Sequence, residues 1–347
     1  MKFYVSTYTE GFFNEGPNGS KGIYLCEYNK KSKDIVILNS FDKSVNPSFI
    51  KLSNDSKNLF VACEKLPPSM ISNYCVDDYG NLTLNDSYIL DVRSCCYISV
   101  NKENLFCTAA NYGSGEVFSF AFDRNCKFIK QTSSFRNKKV GPNKERQELP
   151  HAHSIRLIDS LNTYVACDLG CDKVDFYSYR AGGFLSESSI KSLSIKPGYG
   201  PRHSDNTSDG EFLYITCELS NRVLTYQLVD GQYILKQDIS SIPDNFKQDN
   251  TCADIHLSKD EKYVFVSNRG HNSIVQFMRD KDGSLSLIGF FDCNGKGPRN
   301  FAVCDELVIC ANQDSNDVSI LEVKNGLLTG NVLAKHEFIS PVCIEKL

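Results

Sequence analysis

The strongest constraint on the fold is a repeat, because one strand-rich pattern occurs six times along the chain. In each copy a proline or small polar residue opens an apolar strand, a polar turn follows, and a second apolar strand ends in a polar residue. A third strand, rich in Val, Phe and Tyr, completes the copy. The copies start 46 to 56 residues apart, at Asn46, Ser94, Pro150, Gly200, Thr251 and Gly297. Strand repeats of this length are typical of β-propeller blades, each a four-stranded sheet.

A seventh copy is divided between the two ends of the chain. The C-terminal segment "SPVCIEKL" supplies only a first strand, whereas "MKFYVSTYTE" and "GIYLCEY" near the N-terminus supply only a second and a third. A C-terminal strand that joins the N-terminal blade closes a ring and leaves no open edge between blades. The sequence therefore predicts an all-β fold, a single seven-bladed β-propeller domain over residues 1–347. Residues 133–150 form the longest irregular stretch, which we interpret as a connection across one face.

Composition excludes several classes of function. The 347 residues carry a formal net charge of -4, which argues against a nucleic-acid-binding protein. No stretch approaches the roughly 18 apolar residues of a membrane span. The fifteen cysteines include no CxxC pair, so zinc is not predicted. The N-terminal segment has no signal-peptide core, and we therefore expect reduced thiols and a cytoplasmic protein.

Alignment of the copies gives two columns of residues. The first lies at the start of each first strand: Arg202-His203, Ala152-His153, Ala253-Asp254, Arg299-Asn300, Ser48-Phe49, Cys96-Tyr97 and Val342-Cys343. The second lies at the end of each second strand: Glu218, Asp168, Asn268, Asn312, Glu64, Asn111 and Thr7. The two strands are antiparallel neighbours, so one begins where the other ends. Both columns should therefore converge at one rim of the central channel, where ionisable groups predict a site.

Turn capping competes with function at some of these positions. Capping explains Asp168 and the three asparagines of the second column, taken one by one. It does not explain Glu218, Arg202 or Arg269, because a turn does not require them. For His203 a site role and a structural role are balanced.

Two further histidines lie on one strand of the third copy, which starts at Pro150. His151 and His153 are two residues apart, so their side chains share one face. We place His153 in register with His203 and expect it to point inward.

Six segments in this order resemble the lactonase family of seven-bladed propellers: "RQELPHAH", "CDLGCDKV", "KPGYGPRH", "CELSNRV", "VSNRGHNSI" and "GPRNFAV". The resemblance covers nearly the full chain, although Ser6 and the segment "EKLPPSM" depart from the family pattern. The family includes sugar-acid lactonases and muconate cyclases. For the cyclase branch of the family, the resemblance implies a His, an Arg, a Glu and a second Arg on one face, and the matching residues, which we take as the catalytic set, are His153, Arg202, Glu218 and Arg269. We add a substrate-binding set of His151, His203, Lys65, Arg299 and Asp168.

These residues suit hydrolysis of an anionic lactone such as 6-phosphogluconolactone. Glu218 or His153 can take the proton of the attacking water. Arg202 or Arg269 can stabilise the oxyanion while the other holds the phosphate. The scheme requires no metal or other cofactor, although calcium at a carboxylate-lined rim is a minor alternative.

Two other functions stay open: a muconate-type lactonising cyclase, and a non-catalytic interaction scaffold. The convergence of charged groups at one rim argues against the scaffold. The expected partner is a small anionic lactone, with no nucleic acid and no membrane, and the closed ring favours a monomer.

Overall fold

The computed structural model describes residues 1–10, 19–64 and 68–347. The strands of the first half are β1 (Lys2–Thr7), β2 (Ile23–Asn29), β3 (Asp34–Phe41), β4 (Pro47–Leu52), β5 (Asn58–Cys63), β6 (Ser69–Val76), β7 (Leu82–Leu90), β8 (Cys95–Asn101), β9 (Phe106–Asn111), β10 (Glu116–Phe122), β11 (Phe128–Arg136), β12 (Ala152–Ile158), β13 (Thr163–Asp168), β14 (Lys173–Arg180) and β15 (Phe184–Glu187).

The strands of the second half are β16 (Leu193–Ser194), β17 (Pro201–Asn206), β18 (Phe212–Cys217), β19 (Arg222–Val229), β20 (Gln232–Ser240), β21 (Thr251–Leu257), β22 (Tyr263–Arg269), β23 (Ser273–Arg279), β24 (Leu285–Asp292), β25 (Pro298–Val303), β26 (Leu307–Asn312), β27 (Asp317–Lys324), β28 (Leu327–Glu337) and β29 (Pro341–Lys346). Over the described ranges the helical structure is one 3₁₀ turn, Asp159–Leu161, and no helix is long and apolar enough to cross a membrane.

Seven antiparallel sheets form the blades of a propeller, as the repeats predicted. From the innermost strand outward, the sheets are β29-β1-β2-β3, β4-β5-β6-β7, β8-β9-β10-β11, β12-β13-β14-β15, β17-β18-β19-β20, β21-β22-β23-β24 and β25-β26-β27-β28, and β16 is an additional strand on β14. The predicted ring closure is confirmed, because β29 pairs with β1 over Phe3↔Lys346 to Thr7↔Pro341.

The hydrophobic core lies between the faces of neighbouring blades. The second strands β5, β9, β13, β18 and β26 are buried at all six of their positions, which explains their continuous apolar runs. Tyr4 and Leu25 of the first blade pack with Ile50 and Val61 of the second. The outermost strands alternate or are mostly exposed, as in β3, where Ile35 alone is buried.

The long connection in the middle of the chain is shorter than predicted. Residues 133–136 belong to β11, which pairs with β10 up to Glu116↔Arg136, and the connection to β12 covers residues 137–151. This segment is held against the fourth blade by a hydrogen bond from the Gly141 amide to the Gly170 carbonyl (2.7 Å) and one from Gln147 Nε2 to the Leu169 carbonyl (2.8 Å).

Candidate active site

Every innermost strand carries a β-bulge at the position of the first sequence column. The residue that the bulge leaves unpaired is His153 in β12, Arg202 in β17 and Arg299 in β25, because the ladder steps from Ala152 to Ser154, from Pro201 to His203 and from Pro298 to Asn300. A bulge re-aims one side chain without ending the strand pairing. The bulge therefore directs three ionisable side chains toward the channel axis from three different blades.

This register corrects one prediction. His153 is equivalent to Arg202 rather than to His203, because both are the unpaired residue of their bulge. His153 does point inward, as expected, and it lines the cavity described next.

A cavity of about 540 Å³ occupies the mouth of the channel at which the two columns meet. Four arginines, three glutamates and two histidines line it. Its volume falls within the roughly 300–1,000 Å³ of small-molecule sites. Lining residues come from several blades, so the ring must close before the cavity exists.

The opposite mouth holds a second cavity of about 550 Å³. Two of its cations are paired with carboxylates of the same lining: Arg156 contacts Asp205 at 2.7 Å and Lys51 contacts Glu345 at 2.9 Å. Every predicted site residue that the structure describes lies outside this second lining. The candidate site is therefore the first cavity.

Three arginines surround the carboxylate of Glu218 in this cavity. Arg146 Nη2 lies 2.5 Å from Oε1, while Arg202 Nε and Arg269 Nη2 each lie 2.9 Å from Oε2. Glu218 is 2% exposed. Burial alone would raise the pKa of Glu218, but the charges of Arg269, Arg202 and Arg146 outweigh it and hold the pKa far below 4.5. Glu218 is therefore a fixed anion and a poor acceptor for a proton at neutral pH.

A buried hydrogen-bond chain orients Arg202 from behind. Arg202 Nη1 donates to the Ala253 carbonyl at 2.8 Å and lies 3.2 Å from His203 Nε2. His203 Nδ1 lies 2.7 Å from Asp254 Oδ1, and Asp254 Oδ2 accepts from His256 Nε2 at 2.9 Å. Because the Asp254 carboxylate can only accept, we assign the proton of His203 to Nδ1, which leaves Nε2 to accept from Arg202. Burial, and then the charge of Arg202, lower the pKa of His203 to about 4.

His153 lies in β12 and His151 in the segment before it, and the two rings differ in their protonation and hydrogen bonds. Burial, followed by the charges of Arg202 and His203, lowers the pKa of His153 well below 6.5, so its imidazole is neutral at pH 7. His151 is engaged at both nitrogens: Nδ1 donates to the Tyr112 carbonyl at 2.7 Å, and Nε2 lies 3.1 Å from Glu148 Oε1. Its ring also stacks on Tyr112 at 4.2 Å. His151 shapes the wall of the cavity, whereas His153 has Cys96 Sγ at 4.0 Å from Nδ1, which leaves Nε2 for a bound molecule.

A second carboxylate–arginine group also lines the cavity. Arg299 Nη2 is 3.6 Å from Glu64 Oε2, and the Tyr8 hydroxyl donates to the same oxygen at 2.5 Å. The Arg299 guanidinium also lies 5.6 Å from the centre of the Tyr8 ring. The excess of positive charge therefore lies with the three arginines around Glu218, whereas Arg299 is balanced by Glu64.

Three of the predicted site residues do not line the cavity. Arg202 and His203 lie beneath the cavity rather than in its wall, beside a small void of about 10 Å³. Asp168 accepts from the backbone amides of His151 (2.9 Å) and Cys171 (3.1 Å), which is the capping role weighed for it above. The carboxylate of Asp168 thus orders the entry to β12 and does not line the cavity. Lys65 lies outside the described residues.

Four lining residues were missed from the sequence as functional candidates. Arg93, Tyr112, Arg146 and Glu148 all line the cavity. The signal for Arg146 and Glu148 was the charged run "NKERQE", which ends three residues before His151. The Asn143 side chain accepts from the Glu145 and Arg146 amides at 3.1 Å, and this turn carries Arg146 to Glu218.

The described residues contain no cluster of three or more His, Cys, Asp or Glu side chains that could hold a metal ion.

Comparisons with known proteins agree with this architecture. Residues 2–346 match the family model of the lactonase seven-bladed β-propeller. The chain is 31% identical to the 6-phosphogluconolactonase of Bacillus subtilis over 99% of this chain and 97% of that protein, and 31% identical to that of Formosa agariphila over 92% and 93%.

Two solved structures also superpose closely. The periplasmic gluconolactonase of Pseudomonas aeruginosa has a TM-score of 0.91 at 25% identity and covers 99% of both chains. A protein from Lactobacillus plantarum has the same TM-score and identity, over 100% of this chain and 99% of that one. The chain therefore belongs to the lactonase family of seven-bladed β-propellers, and its class is that of a lactone hydrolase.

Proposed function

We propose that this protein hydrolyses the lactone of a phosphorylated sugar acid, 6-phosphogluconolactone, to the open-chain acid. The observation that carries the proposal is that the neutral His153 imidazole and the arginine-bound Glu218 line the same cavity. Two relatives that align over more than nine-tenths of this chain are 6-phosphogluconolactonases, which supports the substrate class.

His153 is the proposed base. Its neutral ring can accept a proton from water as the water oxygen attacks the lactone carbonyl carbon. The electron pair of the carbonyl π bond moves to oxygen, and the bond to the ring oxygen then breaks as the carbonyl re-forms. The proton on His153 passes to the departing ring oxygen, so the products are a carboxylic acid and an alcohol. Glu218 is not the base in this scheme, because its pKa lies far below 4.5.

Arg269 is the proposed donor to the developing oxyanion. It lines the cavity and is less deeply buried than Arg202, with 18% of its side chain exposed. Glu218 fixes the Arg269 guanidinium before substrate binds, so no reorganisation accompanies the step. Arg202 holds Glu218 from beneath and acts as a positioning residue.

A two-assay experiment separates this proposal from the other functions that the sequence left open. Acid release from fresh 6-phosphogluconolactone is followed in a pH-stat, with the spontaneous rate subtracted, and loss of diene absorbance is followed with a carboxylated muconate. We expect acceleration of acid release only. Diene loss without lactone hydrolysis would identify a cyclase, and inactivity in both assays would favour a scaffold.

We also propose that the protein acts as a single-domain monomer in a reducing compartment such as the cytoplasm. All fifteen cysteines are free thiols in the structure, and twelve of them are buried. This pattern suits cysteine used as a small apolar residue. Sedimentation at micromolar concentration would test the oligomeric state, and we expect one species of about 39 kDa.

A further inference from the structure

Arg93 stands at the rim of the candidate cavity with an exposed side chain. It follows β7 and lies next to Gly113, in the hairpin between β9 and β10. A Cβ atom on Gly113 would lie 2.2 Å from Arg93 Cγ, so the absence of a side chain there makes room for the arginine stem. The backbone of Gly113 does not require positive φ. Gly113 therefore serves the placement of Arg93 rather than the turn itself.

Arg93 forms no ion pair with a described carboxylate, unlike the other arginines in the cavity wall. Arg146 and Arg269 contact Glu218, and Arg299 contacts Glu64. Among the residues that the structure describes, Arg93 has no carboxylate within ion-pair distance and no hydrogen-bond partner for its guanidinium. An exposed guanidinium beside a deep, arginine-rich cavity is free to bind an anion that enters from solvent.

We propose that Arg93 determines specificity for phosphorylated lactones by binding the phosphate of the substrate at the cavity mouth. The inference rests on the proposed function. A sugar-acid δ-lactone carries no charge on its ring, so the phosphate is the only anionic group by which the enzyme can distinguish it from the unphosphorylated lactone. The planar guanidinium fits two phosphate oxygens at once. The reacting carbonyl then lies deeper, toward His153 and Glu218, which are both at least 95% buried.

The other arginines are less suited than Arg93 to bind the phosphate. Arg202 is 2% exposed and lies below the cavity, so a phosphate cannot reach it without displacing Glu218. Arg146 and Arg269 already neutralise the buried carboxylate of Glu218, so a smaller part of their positive charge is left for a phosphate. Binding at Arg93 breaks no existing ion pair, and it adds an attraction that weakens as salt concentration rises.

The test compares kcat/KM for 6-phosphogluconolactone and for glucono-δ-lactone in Arg93→Gln and Arg93→Lys. The control is Arg124→Gln, an exposed arginine on the turn after β10, at the end of that strand away from the cavity. In Arg93→Gln we expect the ratio of the two kcat/KM values to fall about tenfold, through KM for the phosphorylated lactone, as for loss of one charge-assisted contact. The ratio for Arg93→Lys should lie between those of the wild type and Arg93→Gln. The control Arg124→Gln should keep the wild-type ratio.

Several outcomes would overturn the proposal. If Arg93→Gln lowers both kcat/KM values by the same factor, or changes neither, Arg93 does not recognise phosphate. The salt dependence gives a second check: KM for the phosphorylated lactone should rise with potassium chloride in the wild type and rise less in Arg93→Gln. If the wild-type protein hydrolyses neither lactone, the failure lies with the proposed function itself.

Discussion

Nε of Arg202 lies 2.9 Å from Oε2 of Glu218, and each residue is only 2% exposed. Two buried opposite charges in contact leave an uncompensated charge if either one is removed. Glu218 also contacts Arg146 and Arg269, so one carboxylate is the shared counterion of three arginines. This arrangement predicts effects on stability as well as on catalysis.

Glu218→Gln should lower the free energy of unfolding by about 3 kcal/mol, because Arg202 keeps its charge without a buried counterion. Urea denaturation at pH 7 measures the loss. Glu306→Gln is the control, because Glu306 forms an exposed pair with Lys30 and should cost less than about 0.5 kcal/mol. Equal effects of the two substitutions would contradict the account.

The loss of stability in Glu218→Gln should depend on pH, and its direction follows from the pKa of Glu218. The folded-state pKa of Glu218 is below 4.5, so its contribution is complete above pH 4.5 and is lost as the pH falls toward the folded pKa. The stability difference between wild type and Glu218→Gln should therefore shrink as the pH is lowered from 5 to 3. A difference that stays constant over this range would show that Glu218 titrates normally.

The pH–rate profile tests His153 as the base. Its lowered pKa predicts that kcat/KM is constant between pH 8 and 6.5 and declines only below that range. Glucono-δ-lactone is the better substrate for this measurement, since it has no phosphate that titrates near pH 6. A midpoint at or above pH 6.5 would mean that another group, or a His153 with an ordinary pKa, controls the rate.

How far the sequence predicted this structure depends on the level of detail. The blades and the ring closure followed from the repeat and its division between the termini. The rim position of Glu218 followed from hairpin geometry alone. The equivalence of His153 and Arg202 did not, because a bulge inserts one residue without a marker in the sequence. Arg146 was missed because its position depends on the turn around Asn143, outside any repeat.

The buried chain behind Arg202 yields a prediction for positioning. His203→Gln keeps an acceptor that can face Arg202, whereas His203→Ala removes it, so the glutamine variant should retain more kcat/KM. Asp254→Asn should lower kcat/KM about tenfold, because it loses a charge-assisted hydrogen bond to His203. Asp260→Asn, at an exposed pair with Lys262, is the matched control. Identical activity of the two His203 variants would exclude this positioning role.

Ring closure by β29 can be tested by truncating a core residue. Ile344 is 4% exposed and packs with Phe3 and Val5 of β1. Ile344→Ala should lower the free energy of unfolding by about 3 kcal/mol, as should Ile255→Ala in β21, an innermost strand that is continuous with its own blade. A much smaller effect at Ile344 would indicate that the closing strand pairs weakly.

The most direct test of the central claim is the rate of acid release from freshly prepared 6-phosphogluconolactone at pH 7, with the spontaneous rate subtracted. Wild type, His153→Gln and the control His271→Gln are compared, His271 being outside the cavity wall. The account predicts clear acceleration by the wild type and His271→Gln, and loss of most of it in His153→Gln with an unchanged circular dichroism spectrum. Full activity of a folded His153→Gln variant would contradict the proposed mechanism, and an inactive wild type would contradict the proposed function.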